Sequence, residues 1–333
     1  MTSPKTSPKI WPKIWPKIWS KKKDKYYSES LVAKAEREVA LNNKFSYGFG
    51  AEYKYDWGHY QTTTFSSQTK GHVSNFGTFA NTGFRFNENQ NLSIHGRNDD
   101  HKETGGNQTY KINFTQLFGK LKLGVTHSTG LKNASLYELY GNIGQKNINP
   151  EKSETNEITS EYDFSKNVKL TSTAYRTRMK DRIKIKSDWS AYENKELDTT
   201  QEGLESEIAF FGKNQQISLT SHFAKSRTAT GGPNSRRPDL SYGIDYSKKI
   251  NLFDYGLFDF DLSHRYIGDH IDWTGSKNEF VKSVDLLDIS IRKNLFGNII
   301  SFNFTNLLNE RYEKPGTYSQ DGRMVNVGLR RAY

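Results

Sequence analysis

The sequence contains no cysteine, so disulfide frameworks and thiolate metal sites are excluded while the compartment stays open. It contains no uninterrupted run of about 18 apolar residues, which excludes a membrane-crossing helix. Apolar residues are scarce, at 34%, and mean hydropathy is −0.84. For a water-soluble chain those values describe loose packing or disorder. Catalytic patterns are also missing. No Ser/His/Asp order, phosphate loop or pair of catalytic acids stands out, and no two of the 8 histidines have the i, i+4 spacing of a helical zinc site. The chain is therefore read as a non-enzyme, with no metal and no cofactor.

Aromatic residues, by contrast, are plentiful: 19 Tyr and 20 Phe, with 14% of the chain aromatic. Disordered chains are poor in these residues. Low hydropathy with many aromatics fits a transmembrane β-barrel, in which half of each strand faces water.

Residues 1–27 read as a low-complexity basic tail, disordered on its own. Pro-Lys-Ile-Trp repeats from Pro8 to Trp19, followed by Lys21-Lys22-Lys23-Asp24-Lys25. A proline at every fourth position denies the tail the apolar core of about 7–15 residues that a secretory signal needs. The net charge is +11, and 8 of the lysines lie within the first 25 residues, so much of the basic balance belongs to the tail. Interleaved Trp and Lys suit anionic lipid or nucleic acid. A functionless extension has the same composition, and no nucleic-acid partner is expected.

From Ser28 onward the apolar period is two. Phe45, Tyr47, Phe49, Ala51, Tyr53 and Tyr55 alternate with Ser46, Gly48, Gly50, Glu52 and Lys54. The same alternation runs through Tyr110–Phe114, Leu121–Val125, Phe258–Leu262 and Ile300–Phe304. Strands of about 9–12 residues are long enough to cross a bilayer at a tilt. Ser28–Leu41 also suits a helix by composition, but the turn at Asn42-Asn43 makes it a first hairpin arm.

Short and long connections alternate. Short ones fall at Asn42-Asn43, Asn87–Gln90, Phe118-Gly119, Ser165–Asn167, Gly212–Asn214, Asn251–Tyr255 and Phe296-Gly297. In the aromatic-Gly turns, glycine is expected to take positive φ. Long ones fall near Asp56–Val73, Asp100–Asn107, Gly130–Lys152, Met179–Thr199, Arg227–Pro238, Gly268–Phe280 and Leu307–Gly322. An up-and-down outer-membrane barrel has this ordering, with periplasmic turns short and external loops long. Tyr53, Tyr55, Trp57, Tyr175, Tyr242, Tyr266 and Trp273 lie toward the long loops, where an interfacial girdle would sit. Asp259, Asp261, Asp285, Asp288, Glu205 and Glu207 are expected to face the lumen. The strand count is about fifteen, against the even numbers of bacterial single-chain barrels.

Three stretches carry a family resemblance. Ser135-Leu136-Tyr137-Glu138-Leu139-Tyr140-Gly141 is followed by Asn149-Pro150-Glu151-Lys152-Ser153-Glu154. This pair resembles the loop and strand entry of TonB-dependent outer-membrane receptors, in a shortened form. Asn303–Tyr312, with Asn306, Leu307, Asn309 and Tyr312, resembles their penultimate-strand signature. Gly322-Arg323 with Val325, Val327 and Leu329 resembles their closing strand, which ends here in Tyr333; Arg331 interrupts its apolar face.

The resemblance covers residues 28–333. It implies an all-β, antiparallel up-and-down transmembrane barrel, part of a family barrel of about twenty-two strands. It further implies uptake of a scarce ligand of the iron-chelate or cobalamin type, closest in flavour to the cobalamin branch. No plug, TonB box or signal peptide is recognised, so the chain reads as a receptor fragment. Its implied partners are outer-membrane lipid, lipopolysaccharide, the barrel-assembly machinery and an unidentified small molecule, with TonB only if a plug is supplied elsewhere. Leu136, Tyr137, Glu138, Leu139 and Tyr140 are the leading candidates for ligand contact or loop packing. Arg236 and Arg237 are candidates for ligand or lipopolysaccharide phosphates; solvated loop charge is the plainer reading. Two other functions fit the same strands: a passive pore or adhesin closing on its own strands, and a soluble all-β carbohydrate-binding protein.

Overall fold

The computed structural model describes residues 25–62, 67–195, 198–228, 230–273, 278–314 and 318–331. The chain starts with β1 (Lys25–Asn42), β2 (Phe45–Thr62), β3 (Ser67–Asn87), β4 (Gln90–His101), β5 (Gly105–Phe118) and β6 (Leu121–Lys132). A short helix, α1 (Leu136–Tyr140), precedes β7 (Glu151–Ser165) and β8 (Val168–Lys180). A small hairpin, β9 (Arg182–Ile185) and β10 (Tyr192–Lys195), leads to β11 (Thr199–Phe211), β12 (Gln215–Arg227), β13 (Leu240–Asn251) and β14 (Leu257–Ile267). A second hairpin, β15 (His270–Trp273) and β16 (Asn278–Val281), precedes β17 (Val284–Leu295), β18 (Asn298–Thr305) and β19 (Met324–Arg331).

Among the described residues, 15 strands form one sheet in sequence order, interrupted only by the two small hairpins. The strand count matches the one expected from the alternation. Ser28–Leu41 is strand, paired along its length with β2. Of the tail read as residues 1–27, residues 1–24 lie outside the described residues, as does the terminal Tyr333, whereas Lys25, Tyr26 and Tyr27 open β1, paired with Gln61, Tyr60 and His59, because backbone pairing with β2 extends beyond the alternating apolar stretch.

The register sorts side chains onto two faces. Val125, Ile158, Ala174, Leu204 and Phe223 form one cross-strand row. Ile158 is 59% exposed and Leu204 47%. The neighbouring row on the opposite face is Gly124, Thr159, Thr173, Glu205 and His222. An apolar face left bare on strands of this length has no place in water, and it matches the lipid-facing side of a barrel.

Seven short turns gather at one end of the sheet and the longer connections at the other. Phe296 and Gly297 both take positive φ, 52° and 77°, and Gly119 takes 60°. Gly212, in the third aromatic-Gly turn, does not. Two expected long connections are mostly strand. The Asp56–Val73 stretch is paired up to Thr62 opposite Ser67. The Asp100–Asn107 stretch is paired up to His101 opposite Gly105, leaving only Lys102–Thr104 unpaired. In both, alternation of side chains continues past the level at which apolar residues stop, and backbone pairing needs no apolar residues.

Two side chains lie on the face opposite to the expected one. Asp285 pairs with Tyr266, which pairs with the exposed Tyr242, so this carboxylate is on the apolar face, 3.0 Å from His264 Nε2. It stands at the long-loop end of its strand, where that face reaches polar surroundings. Tyr175 pairs with Gly203 on the polar face, and its hydroxyl lies 3.2 Å from His222 Nε2. It does not join the girdle formed by Tyr53, Tyr55 and Trp57 on the apolar face. The Trp273 side chain is outside the described set.

Candidate ligand-binding mouth and lumen wall

The long-loop end is partly roofed by α1. Ser135 starts the helix through a capping box: its hydroxyl accepts from the Glu138 backbone N–H, while the Glu138 carboxylate accepts from the Ser135 N–H at 2.7 Å. Both donors would otherwise be orphaned at the helix start. Leu136, Leu139 and Tyr140 share one face at i, i+3 and i+4. Leu139 is 2% exposed and packs with Val73, Ala134, Ile148 and Ile183 in the main buried apolar cluster.

That cluster rests on the polar face of β2 and β3. Gly58 and Gly71 are cross-strand partners there. A Cβ on Gly71 would stand 2.3 Å from the Tyr140 ring, and one on Gly58 3.0 Å from Leu136 Cδ1. The absent side chains are the space into which α1 docks. The Tyr140 hydroxyl lies 2.5 Å from Glu103 Oε1 in the β4–β5 turn and 3.1 Å from the His72 carbonyl. Burial and this carboxylate push the Tyr140 phenol well above its ordinary pKa. The same bond from Tyr140, helped by the Lys102 ammonium, holds Glu103 below the usual carboxylate value.

Tyr137 points away from this anchorage and is 42% exposed. It extends a run of tyrosines across the mouth. Tyr26 stacks on Tyr60 at 4.5 Å between centroids, Tyr60 meets Tyr137 edge-on at 5.6 Å, and Tyr137 meets Tyr192 edge-on at 6.4 Å. Beneath α1 lies a concavity of about 610 Å³, lined in part by Ser30, Lys54, Asp56, Asn75, His101 and Leu136.

The Asn149–Glu154 motif fixes the return into the sheet. Asn149 exchanges two hydrogen bonds with the Asn194 side chain, at 2.7 and 2.9 Å. Pro150 is buried, where its missing donor leaves nothing unpaired. Glu151 accepts from the Ile183 N–H at 2.9 Å and pairs with Lys132 at 3.1 Å. Lys152 and Glu154 lie on the opposite face, exposed. These residues tie β9–β10 to the mouth. Sequence reading missed Asn194, Glu103, Tyr60 and the glycine pair; Gly58 and Gly71, the latter at the foot of an aromatic-rich strand, were the available signal.

The remaining candidates sit in other loops. Arg236, at φ 61°, donates from Nε to Asp272 Oδ1 at 2.6 Å, and its backbone N–H donates to the Ile271 carbonyl. It thus clamps the β12–β13 loop to the β15–β16 hairpin, and Asp272 is fully buried. Arg237 is exposed beside it. Asn306, at φ 50°, accepts from the Glu310 N–H at 2.9 Å and donates to the carbonyls of Glu310 and Asp321. Asn309 accepts from the Arg323 N–H at 3.0 Å, with Gly322 close against it. Leu307 N–H bonds to the Leu287 carbonyl, and the Tyr312 carbonyl accepts from Gln320. The two motifs read separately in sequence therefore form one clamp on the β18–β19 loop.

The polar face carries paired charges. Arg97 bridges Glu52 at 3.0 Å and Asp99 at 2.7 Å. Arg292 meets Asp261 at 2.6 Å, and Arg265 meets Asp245 at 2.7 Å. A concavity of about 700 Å³ opens against Thr171, Thr173, Glu205, Glu207, His222 and Arg265. Among the described residues, no cluster of three or more His, Asp or Glu side chains suits a metal ion. No helix among them is long and apolar enough to cross a membrane, so any crossing is by strands.

Residues 18–307 match the family model described as TonB dependent receptor-like, beta-barrel. The chain belongs to that family. Family members are outer-membrane proteins of Gram-negative bacteria and act as receptors and transporters, not enzymes, so the apolar face is lipid-facing and the polar face lines the lumen. Solved structures share the fold. A variant of the ferric enterobactin receptor PfeA of Pseudomonas aeruginosa, in complex with enterobactin, superposes at TM-score 0.78, with 16% identity over 91% of this chain and 54% of its own. The siderophore receptor PirA of Acinetobacter baumannii gives 0.75, at 15% identity over 91% and 55%. The FrpB iron transporter of Neisseria meningitidis gives 0.74, at 11% identity over 91% and 55%. The chain thus spans about half the length of the structures it matches.

Proposed function

We propose that this chain is the barrel portion of a receptor that takes up an iron chelate across the outer membrane. The observation that carries this reading is the tyrosine run Tyr26–Tyr60–Tyr137–Tyr192, set in the external mouth of a two-faced family barrel. Planar aromatic rings with phenol edges give a chelate of aromatic ligands both stacking area and hydrogen bonds. The matched structures named for enterobactin, siderophore and iron favour this ligand class over cobalamin.

The sheet edges argue for further strands. Among the described residues β1 and β19 each have one neighbour. Both run from the long-loop end to the short-turn end, so joining them directly would make a parallel pair in an otherwise antiparallel barrel. Unpaired strand edges are not tolerated in hydrocarbon. An odd number of additional strands closes the barrel with antiparallel pairs throughout. This favours a larger receptor over a pore closing on these strands alone. In that reading TonB is a partner only where the receptor carries a plug, and the barrel-assembly machinery and outer-membrane lipid are its partners in the membrane.

The test is fluorescence titration of the chain, assembled in a membrane with the strands that close its barrel, using a ferric catecholate and the iron-free catechol. Saturable quenching by the ferric form, weakened about tenfold in Tyr137→Ala for the loss of one aromatic contact, is expected. Quenching indifferent to Tyr137, or absent, contradicts the reading.

A further inference from the structure

The β4–β5 turn is fastened through one imidazole. His101, the last residue of β4, is 4% exposed. Its Nδ1 accepts from the backbone N–H groups of Glu103 and Thr104, both at 3.3 Å. The Thr104 hydroxyl stands 3.1 Å from the same nitrogen and donates to Asn133 Oδ1 at 3.2 Å. Two amide donors on Nδ1 hold the ring as the neutral tautomer with its proton on Nε2. An imidazolium carries a proton on Nδ1 as well, and that proton would face both amides. A charged His101 and a closed turn therefore exclude each other.

The same turn holds the mouth. Glu103 gives its backbone N–H to His101 and takes the Tyr140 hydroxyl on its carboxylate. Thr104 gives its backbone N–H to His101 and its hydroxyl to Asn133, just ahead of the α1 N-cap Ser135. Both ties thus run through the two residues that His101 caps.

The charged groups around the imidazole are Asp56 with its partner Lys54 on β2, Asp99 and Asp100 on β4, and Glu103 with Lys102 in the turn. Asp99 is already bridged to Arg97, and Glu29 on β1 borders the concavity that His101 lines. Carboxylates of ordinary pKa stay ionised above about pH 5, so between there and neutrality the imidazole is the group that changes charge. His101 sits at the external end of β4, beyond the membrane-crossing part, and burial outweighs the surrounding acids to hold it below its ordinary 6.5. The closed turn is therefore at full strength above pH 6.5 and weakens as pH falls from there toward the closed-state value.

We infer that His101 is a proton-operated latch on the mouth: on mild acidification its protonation opens the β4–β5 turn and frees α1 from Glu103. What the opening serves, access of ligand to the concavity beneath α1, rests on the reading of this end as a receptor's mouth. The latch itself needs no ligand.

The chain is assembled in a membrane with the strands that close its barrel, and amide exchange over 102–104 and 136–140 is followed by mass spectrometry without ligand. Rates are divided by those of unstructured peptides at the same pH. Uptake of one proton on opening predicts that protection of both segments falls by up to about tenfold from about pH 7.5 to about pH 5.5. His101→Asn, whose Oδ1 can accept the same two amides but takes no proton, should keep its protection at both pH values. His101→Ala, without the acceptor, should be weakly protected at both. Protection indifferent to pH in the natural chain overturns the latch. So does a fall that persists in His101→Asn, which would hand the titration to another group such as His72, whose Nε2 lies 3.0 Å from Lys102 Nζ. Opening of 102–104 with 136–140 unmoved overturns the control of α1. Failure of chelate binding at every pH, with exchange as expected, overturns the proposed function and leaves the latch standing.

Discussion

The Tyr140 hydroxyl and the Glu103 carboxylate, 37 residues apart in sequence, meet at 2.5 Å and tie α1 to the β4–β5 turn. Hydrogen bonds to a charged partner contribute about 1.5–3 kcal/mol, so Tyr140→Phe should loosen the mouth by roughly 2 kcal/mol without disturbing the sheet. The check is trypsin cleavage at Lys146, which should quicken while the chain stays folded by circular dichroism.

The same pair sets a pH dependence. Glu103 is held below its ordinary value of 4.5, chiefly by the Tyr140 bond. Its contribution is therefore fully present above the unfolded-state pKa and is lost as pH falls through the lower folded-state value. Protection of Lys146 should weaken on acidification below that range in the natural chain. In Tyr140→Phe the acid dependence should flatten. Tyr140 is shifted upward, so the strut should persist through pH 10, the ordinary tyrosine value.

Gly71→Ala places a Cβ 2.3 Å from the Tyr140 ring. Overpacking of this kind costs about 1–3 kcal/mol. The expected outcome is displacement of α1, giving faster Lys146 cleavage than in Tyr140→Phe. An unchanged cleavage rate would show that α1 does not seat against β3.

Arg236→Ala leaves the Asp272 side chain, 1% exposed, without its guanidinium. Arg236 itself is 59% exposed, so the loss is that of one charged hydrogen bond, about 1.5–3 kcal/mol, and removing both partners costs less. Protease sensitivity within 230–238 should rise in Arg236→Ala and fall back in Arg236→Ala/Asp272→Ala. Equal sensitivity in the two variants would remove this clamp from the account.

Asn306 combines φ 50° with three side-chain hydrogen bonds. Asn306→Gly keeps the backbone and loses the bonds, at about 1 kcal/mol each. Asn306→Ala adds strain of about 1 kcal/mol or more. Thermal unfolding should rank the natural chain above Gly, and Gly above Ala.

The sheet was legible because its signal is repeated. Tyr47, Phe49 and Tyr53 alternate with small and polar neighbours, and a short turn follows every second strand. The extension of β2 and β3 beyond Asp56 and Val73 was not legible, because strands outside the membrane need no apolar period. Asp285 was assigned to the wrong face because height on the strand, not residue type alone, decides which polar side chains are tolerated outside. The loop motifs were legible as text, but not the contacts they serve. Nothing in the spacing of Ser135 and Glu138 reveals that Leu139 meets Val73, or that Asn306 and Asn309 close on Asp321 and Arg323. Those pairings are set by where loops far apart in sequence come together at the mouth and rim.

The most direct test uses the absence of native cysteine. Leu204 and Glu205 are adjacent on β11, and so are His222 and Phe223 on β12, yet each pair is split between the two faces. Single cysteines at these four positions, carrying an environment-sensitive fluorophore in vesicles that hold the chain assembled with the strands that close its barrel, report which face each side chain meets. The account predicts quenching by lipid-borne nitroxide at Leu204 and Phe223 and by aqueous iodide at Glu205 and His222. Equal aqueous quenching at all four positions would contradict it.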